Sequence, residues 1–305
     1  MASPNDILGA SDKKNKHLDA IILAFEQDVN SVMKELYIAV LELVGTLPAD
    51  ASKLVFNQKS LTRVEIIDKL INEVNKKLKG TVFVNLAVDM AKSAQFSKDM
   101  YMAAGYSDAA LAKVDTAINL ISRKLGITST GQVITGGFLD TIANSNILKL
   151  ELKNIVINGI SSKLSITELN KLMKEAILGT ATKDSKLMRY FKLYIHDSVY
   201  KTSRAYDKVI ADELGVKNFL YANDIIKTSR DFCMSRAYKI FSRTEINSWK
   251  ELKYPYFPEP YDPFIDCGGY NCRHWLIPAS NDEGEIKGIN EAADKWRKES
   301  LEELK

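Results

Sequence analysis

Three cysteines and one histidine gather in two short stretches late in the chain, Thr228-Ser229-Arg230-Asp231-Phe232-Cys233 and Cys267-Gly268-Gly269-Tyr270-Asn271-Cys272-Arg273-His274-Trp275. They hold every cysteine of the 305 residues and one of the three histidines. Thiolate and imidazole at short spacing, on a turn that a Gly pair lets fold back, are the ligand types of a tetrahedral zinc ion. Cys233, Cys267, Cys272 and His274 are therefore the candidate metal ligands. The spacing is looser than that of two tight Cys pairs, and two other fates stay open. The cysteines can be small buried hydrophobes, with His274 hydrogen-bonded beside Trp275, or Cys267 and Cys272 can form a disulfide. Cys272 and His274 also offer a thiol nucleophile and a base, but no third group that would orient the imidazole is identifiable.

Composition narrows the setting. Hydrophobic residues make up 46% and charged residues 27% of the chain, ordinary globular values that argue against disorder. The net charge of +3 is too small to imply a nucleic-acid partner. Its distribution says more: Lys183 to Lys253 contains fifteen Lys and Arg against nine Asp and Glu, while the remainder is net −3. Within that basic segment and the turn after it, Arg204, Arg230, Arg236 and Arg273 are candidates for contact with DNA or a partner. No apolar run reaches the roughly eighteen residues of a membrane span, and residues 1–16 lack the apolar core of a signal peptide. A cytoplasmic, reducing setting is expected, where burial or metal binding of three cysteines outranks a structural disulfide.

The elements that must position these residues are mostly helices. Residues 1–16, polar and bearing Pro4, read as a flexible arm. From Leu18 to Val44 apolar residues recur every three or four positions, which predicts one long amphipathic helix ending at Gly45. Its stripe packs either within the chain's own bundle or on another subunit. Ser60 reads as the cap of a second helix that Gly80 stops, followed by helices over 82–104 and 108–125. A polar loop over 127–137 is the first plausible hinge, and helix resumes from Phe138 to Ile160. Ser165-Ile166-Thr167-Glu168 is a capping box opening a helix to Leu178, and a long helix spans Asp184 to Leu214. Val216 to Ala222 and Trp275 to Pro278 read as short strands, and Ser242-Arg243-Thr244-Glu245 as a second capping box. Four prolines between Tyr254 and Pro263 force an ordered extended loop. A charged helix closes the chain from Glu291. The expected organisation is a flexible arm over 1–16, a helical region over 17–180, a compact domain over 183–280 and a charged C-terminal helix over 281–305. The fold class is mainly α: an N-terminal bundle of long helices plus a small α+β C-terminal domain with a Pro-rich extended loop.

The stretch from about His196 to Pro278 resembles the phage head-morphogenesis, or minor head protein, family, whose C-terminal domain is named after the F protein of phage Mu. The residues that carry the resemblance are Glu213-Leu214-Gly215-Val216, Thr228-Ser229-Arg230-Asp231-Phe232-Cys233, Lys239-Ile240-Phe241 and, most specifically, Gly269-Tyr270-Asn271-Cys272-Arg273-His274. It covers roughly the last third of the chain. Ala237-Tyr238 stands where the turn often has a Gly, and His274 where many members have Cys, a change that keeps a metal ligand. The resemblance implies a virion protein that is structural rather than enzymatic. It would dock on the portal protein or the major capsid protein near the portal vertex, in several copies, and aid head assembly, DNA packaging or ejection. The expected location is the virion, and the host cytoplasm during assembly. The basic segment would touch packaged DNA without reading sequence. No cofactor is required by this reading, with zinc the candidate. The alternative is a phage-encoded enzyme or effector, nuclease-like or toxin-like, that uses the Cys/His cluster.

Overall fold

The apolar stripe that begins at Leu18 belongs to one uninterrupted helix, α1 (Pro4–Gly45), in a computed structural model that describes residues 4–111, 128, 132–135, 140, 147–279 and 283–302. Leu18, Phe25, Val29, Met33, Leu36, Val40 and Val44 are all buried within the single chain. Spacing of three and four places them on one face, and that face is covered without a second subunit. The arm expected over 1–16 is helical from Pro4 onward. Its polar residues are satisfied far away in sequence: Ser11 accepts from Trp275 Nε1 at 2.7 Å, and Lys14, only 1% exposed, pairs with Asp207. A window of neighbouring residues carries no sign of such partners.

Two compact units divide the chain, one of Ile22–Ala87 and Gly126–Ile195, the other of Met1–Ile21, Val88–Leu125 and His196–Lys305. This partition departs from the expected boundaries, because the first turns of α1 belong with the C-terminal third rather than forming an arm.

The first unit is helical. After α1, a tight antiparallel pair of two-residue strands, β1 (Ala49–Asp50) and β2 (Lys53–Leu54), leads into α2 (Gln58–Lys77). Asn57, and not Ser60, caps α2: its side-chain oxygen accepts the Ser60 backbone N–H at 3.0 Å. Gly80 does not stop the helix either. A π-helical turn (Leu78–Val82) carries the chain straight into α3 (Phe83–Ala103) and buries Leu78 and Val82. Burying these residues along with Phe83 favours continuation, and Gly80 adopts no left-handed backbone. Gly105, at φ 92°, does end α3 in the way a helix-stopping glycine should. Beyond it only the first turn of the next helix, α4 (Asp108–Leu111), is described; α4 and α3 from Val88 onward belong to the second unit. The rest of the helix expected over 108–125, most of the hinge loop over 127–137 and the start of the helix expected from Phe138 lie outside the described residues.

Helix α5 (Ile147–Ser161) is tied to α2 by Lys149 and Lys153, which both reach Asp68 at 3.1 and 2.7 Å. Gly159 lets it approach α6 (Ile166–Leu178) closely, since a Cβ there would stand 2.9 Å from Leu169. The expected capping box opens α6, with Ser165 and Glu168 satisfying each other's backbone N–H. Phe25 stacks on Phe83 at 6.0 Å and meets Phe191 edge-on at 5.9 Å, so aromatic contacts centre the core of this unit. Phe191 lies on α7 (Lys186–Glu213), which Gly215 ends at φ 62°.

The second unit is built on a three-stranded antiparallel sheet of order β4-β3-β5, with β3 (Asn218–Ala222), β4 (Lys239–Ser242) and β5 (Trp275–Ala279). Both expected strands are present. The third, β4, pairs Phe219 with Phe241, while β3 pairs Tyr221 with Leu276 on its other side. Short helices α8 (Asp231–Arg236), α9 (Arg243–Ser248) and α10 (Pro263–Asp266) fill the connections. Ser242 and Glu245 form the expected capping box at α9. The C-terminal helix α11 (Glu283–Glu302) starts earlier than expected. It is fastened by Arg297, which donates to the carbonyls of Ala237 at 2.6 Å and Met234 at 2.8 Å. The fold is mainly α with one small antiparallel sheet, as the sequence predicts, and no helix among the described residues is long and apolar enough to cross a membrane.

Candidate metal centre

Cys233 sits in the first half of α8, and Cys272 and His274 in the turn that leads into β5. Antiparallel pairing of β3 with β5 sets Tyr221 beside this turn. What brings the two stretches together is Arg230. It stands at the N-cap position of α8, yet its side chain donates to the carbonyls of Gly268 at 2.8 Å and Tyr270 at 2.6 Å. The same guanidinium lies 4.6 Å from the Tyr256 ring, so the Pro-rich loop is held to both.

The glycines of the turn are needed for close approach. A Cβ on Gly268 would lie 2.3 Å from Cys233 Sγ and 3.0 Å from Cys272 Sγ. One on Gly269, which has φ 88°, would lie 2.1 Å from the Tyr256 carbonyl oxygen.

The resulting geometry is that of a ligand set. Cys233 Sγ and Cys272 Sγ are 3.8 Å apart, and Cys272 Sγ lies 3.7 Å from His274 Nδ1. All three ligand atoms lie within 4.8 Å of one another, and all three residues are buried. Bonds of about 2.3 Å to sulfur and about 2.0 Å to nitrogen around a tetrahedral ion imply edges of about 3.8 and about 3.5 Å. The cluster is therefore already close to the size of a coordination sphere. His274 also lacks what a purely structural histidine has: Nε2 is buried with no hydrogen-bond partner, and Nδ1 has only the Cys272 sulfur. This cluster could bind a metal.

Electrostatics agree with that donor set. Burial alone would raise the Cys272 thiol, but the hydrogen bond from Cys233, the neighbouring His274 and the Arg204 guanidinium hold it well below the ordinary thiol range. Cys233 is pushed up, first because it donates to Cys272 and then by burial. Of the two sulfurs, Cys272 is therefore the one that its surroundings favour as a thiolate.

Cys267 does not join them. It is fully buried, burial pushes its thiol up, and its backbone at φ 47° turns the chain out of α10. It is the small buried hydrophobe of the three, outside the group of mutually close ligand atoms. The Cys267 to Cys272 disulfide is not formed; all three cysteines are free thiols.

The four arginines fare differently from expectation. Arg204 is only 2% exposed and donates to the carbonyls of Ile265, at 3.0 Å, and Cys272. Arg230 is engaged as described, and Arg236 lies over the rings of Phe232 at 3.9 Å and Trp249 at 4.8 Å. These three hold the unit together and cannot turn outward to a phosphate without abandoning buried partners. Arg273 alone is exposed; its Nε donates to His196 Nε2 at 3.0 Å. His196 is pushed down to about 4, by burial and then by Arg273, so it accepts that hydrogen bond as a neutral ring.

Sequence reasoning missed Tyr221 as a neighbour of the cluster. Its hydroxyl lies 3.4 Å from Cys233 Sγ and 3.8 Å from Cys272 Sγ, and its ring stacks on His274 with centroids 5.1 Å apart. A tyrosine inside an otherwise apolar strand was the available signal, since a buried hydroxyl needs a polar partner. No protein family, curated protein or solved structure matches the chain.

Proposed function

We propose that this chain is a structural minor head protein of a tailed bacteriophage, and that a zinc ion held by Cys233, Cys272 and His274 fastens its C-terminal unit. One observation carries the reading. Two of the four stretches that bear the resemblance, Thr228–Cys233 and Gly269–His274, are folded against each other through Arg230 and meet in a single buried thiol and imidazole cluster. Three buried ligands suit a cross-link between the segments that carry them, and when bound the ion would supply that cross-link. Docking on the portal protein or major capsid protein, presence in several copies, and a location in the virion follow from the same reading. Mass spectrometry of purified particles is expected to find the protein; its absence from particles made while it is expressed would sink the proposal. Metal analysis of protein purified without chelator should give about one zinc per chain, and less than about half an equivalent would contradict a single site.

Contact with packaged DNA is part of the reading, through the exposed Arg273 rather than the three buried or stacked arginines. Arg273→Ala is expected to leave the metal content unchanged. It should lower the slope of log affinity against log salt by about 0.9, the share of one phosphate contact on duplex DNA. Filter-binding titrations across salt concentrations measure this, and an unaltered slope would remove Arg273 from the interface.

A further inference from the structure

We infer that Tyr221 is the fourth ligand of the metal site, its phenolate oxygen closing the tetrahedron that Cys233, Cys272 and His274 begin, with Arg204 balancing the resulting charge. The inference rests on the metal reading above and goes one residue beyond it.

The first argument is geometric. The Tyr221 oxygen lies 3.4 and 3.8 Å from the two sulfurs, while the sulfurs themselves are 3.8 Å apart and the second is 3.7 Å from the imidazole nitrogen. These four of the six edges have the length that a tetrahedron of sulfur, nitrogen and oxygen ligands around zinc requires, about 3.4 to 3.8 Å. Tyr221 is fully buried, and the two sulfurs are its hydroxyl's hydrogen-bonding neighbours. Water is the usual competitor for a fourth position. Here Gly268 packs so tightly over the cluster that even a single added carbon would lie 2.3, 3.0 and 3.4 Å from Cys233 Sγ, Cys272 Sγ and Tyr221 Oη.

The second argument is charge. A divalent ion with two thiolates and a neutral imidazole sums to zero, and a phenolate makes the centre singly negative. Arg204 is buried beside it and donates to the Cys272 carbonyl, yet among the described residues it forms no ion pair with a carboxylate. The nearby acids are engaged elsewhere: Asp207 with Lys14, and Asp197 and Asp266 with Lys201. A buried guanidinium needs an anion, and a singly negative metal centre is one. Burial and the neighbouring cysteines push the Tyr221 phenol up; a divalent ion at bonding distance acts in the opposite direction and is the larger local charge. On binding, the phenol O–H bond breaks, its proton leaves to solvent, and the oxygen takes the place of a water on the ion, with no change of oxidation state.

The test is the ultraviolet difference spectrum of the full-length chain, stripped of metal under reducing conditions and titrated with zinc. One tyrosinate signal per chain, saturating with one equivalent of zinc, is expected. In Tyr221→Phe, which keeps the ring stacked on His274, zinc should still bind at one per chain but without the tyrosinate signal and at least about tenfold more weakly. Zinc uptake by the unaltered chain without a tyrosinate signal overturns the Tyr221 assignment and leaves the three-ligand site standing, whereas no uptake at all overturns both. Should the Phe variant fold poorly, the spectrum of the unaltered chain decides alone.

Discussion

Replacing Lys14 with methionine is expected to lower the stability of the protein by about 3 to 5 kcal/mol. Lys14 Nζ lies 2.6 and 2.5 Å from the two Asp207 oxygens, with side chains only 1% and 6% exposed. Burial is the largest influence on Lys14 and lowers its affinity for a proton, and Asp207 is the main force acting the other way. The pair is therefore an interaction that tolerates burial only while both members are present. Methionine fills much of the lysine volume, so the loss isolates the unpaired carboxylate rather than a cavity. Tyr101 would still donate to the Asp207 backbone carbonyl at 2.8 Å, which does not help the side chain. Urea unfolding followed by circular dichroism measures the effect. Lys14→Met combined with Asp207→Leu should recover part of the loss; a single-variant cost below about 1 kcal/mol would mean that the first turns of α1 are not docked where they are described.

Cys272→Ser is the second large effect. It removes the ligand shared by the two short contacts of the cluster, to Cys233 Sγ and to His274 Nδ1. Zinc bound as proposed is expected to be lost from the variant. Because structural zinc contributes folding energy outright, up to about 10 kcal/mol in small domains that fold only around the ion, the unit with the sheet should melt well below the unaltered protein. Addition of a strong chelator should bring the unaltered protein to the same state. Cys267→Ser separates this from general damage. It buries a hydroxyl in place of a thiol, at a cost of about 1 to 3 kcal/mol, but lies outside the cluster and should keep its zinc. Equal metal loss in both variants, measured by metal analysis alongside calorimetry, would refute the three-residue assignment.

The elements were legible where local chemistry decides them. Ser165 with Glu168 and Ser242 with Glu245 announce helix starts through reciprocal hydrogen bonds, and both boxes are formed. Gly105 and Gly215 announce ends because each takes a positive φ. Gly80 looked the same in sequence, but its surroundings bury Leu78, Val82 and Phe83, and packing carried the helix through. Residues 1–16 show the converse, being helical from Pro4 although their polarity predicts an arm. Ser11 and Lys14 are polar, and polarity predicts solvent unless a partner 264 or 193 residues away is known. At the site, Cys233, Cys272 and His274 could be named from residue type, whereas the separation of Cys267 from them is a matter of three-dimensional placement that no spacing rule encodes. The arginines show the limit of charge counting: Arg204, Arg230 and Arg236 contribute to a basic segment on paper and spend their donors and faces inside the fold. Tyr238 adds a quieter case. It adopts φ 59° at the turn where glycine would be the easy choice, and its hydroxyl donates to Asp224.

The route by which α1 is satisfied bears on when the protein can finish folding as it emerges from the ribosome. Ser11, Lys14 and Asn15 are made early, but their partners Trp275, Asp207 and Tyr200 are made late. Helical structure in α1 can form locally within microseconds, whereas translation supplies residues at about ten per second. The first turns of α1 must therefore wait many seconds with a lysine and a serine that have nothing to bind. The Cys233, Cys272 and His274 cluster is likewise incomplete until His274 has cleared the exit. Closure of the second unit therefore waits for β5, and a chain halted before β5 would carry an N-terminal segment still without its dock.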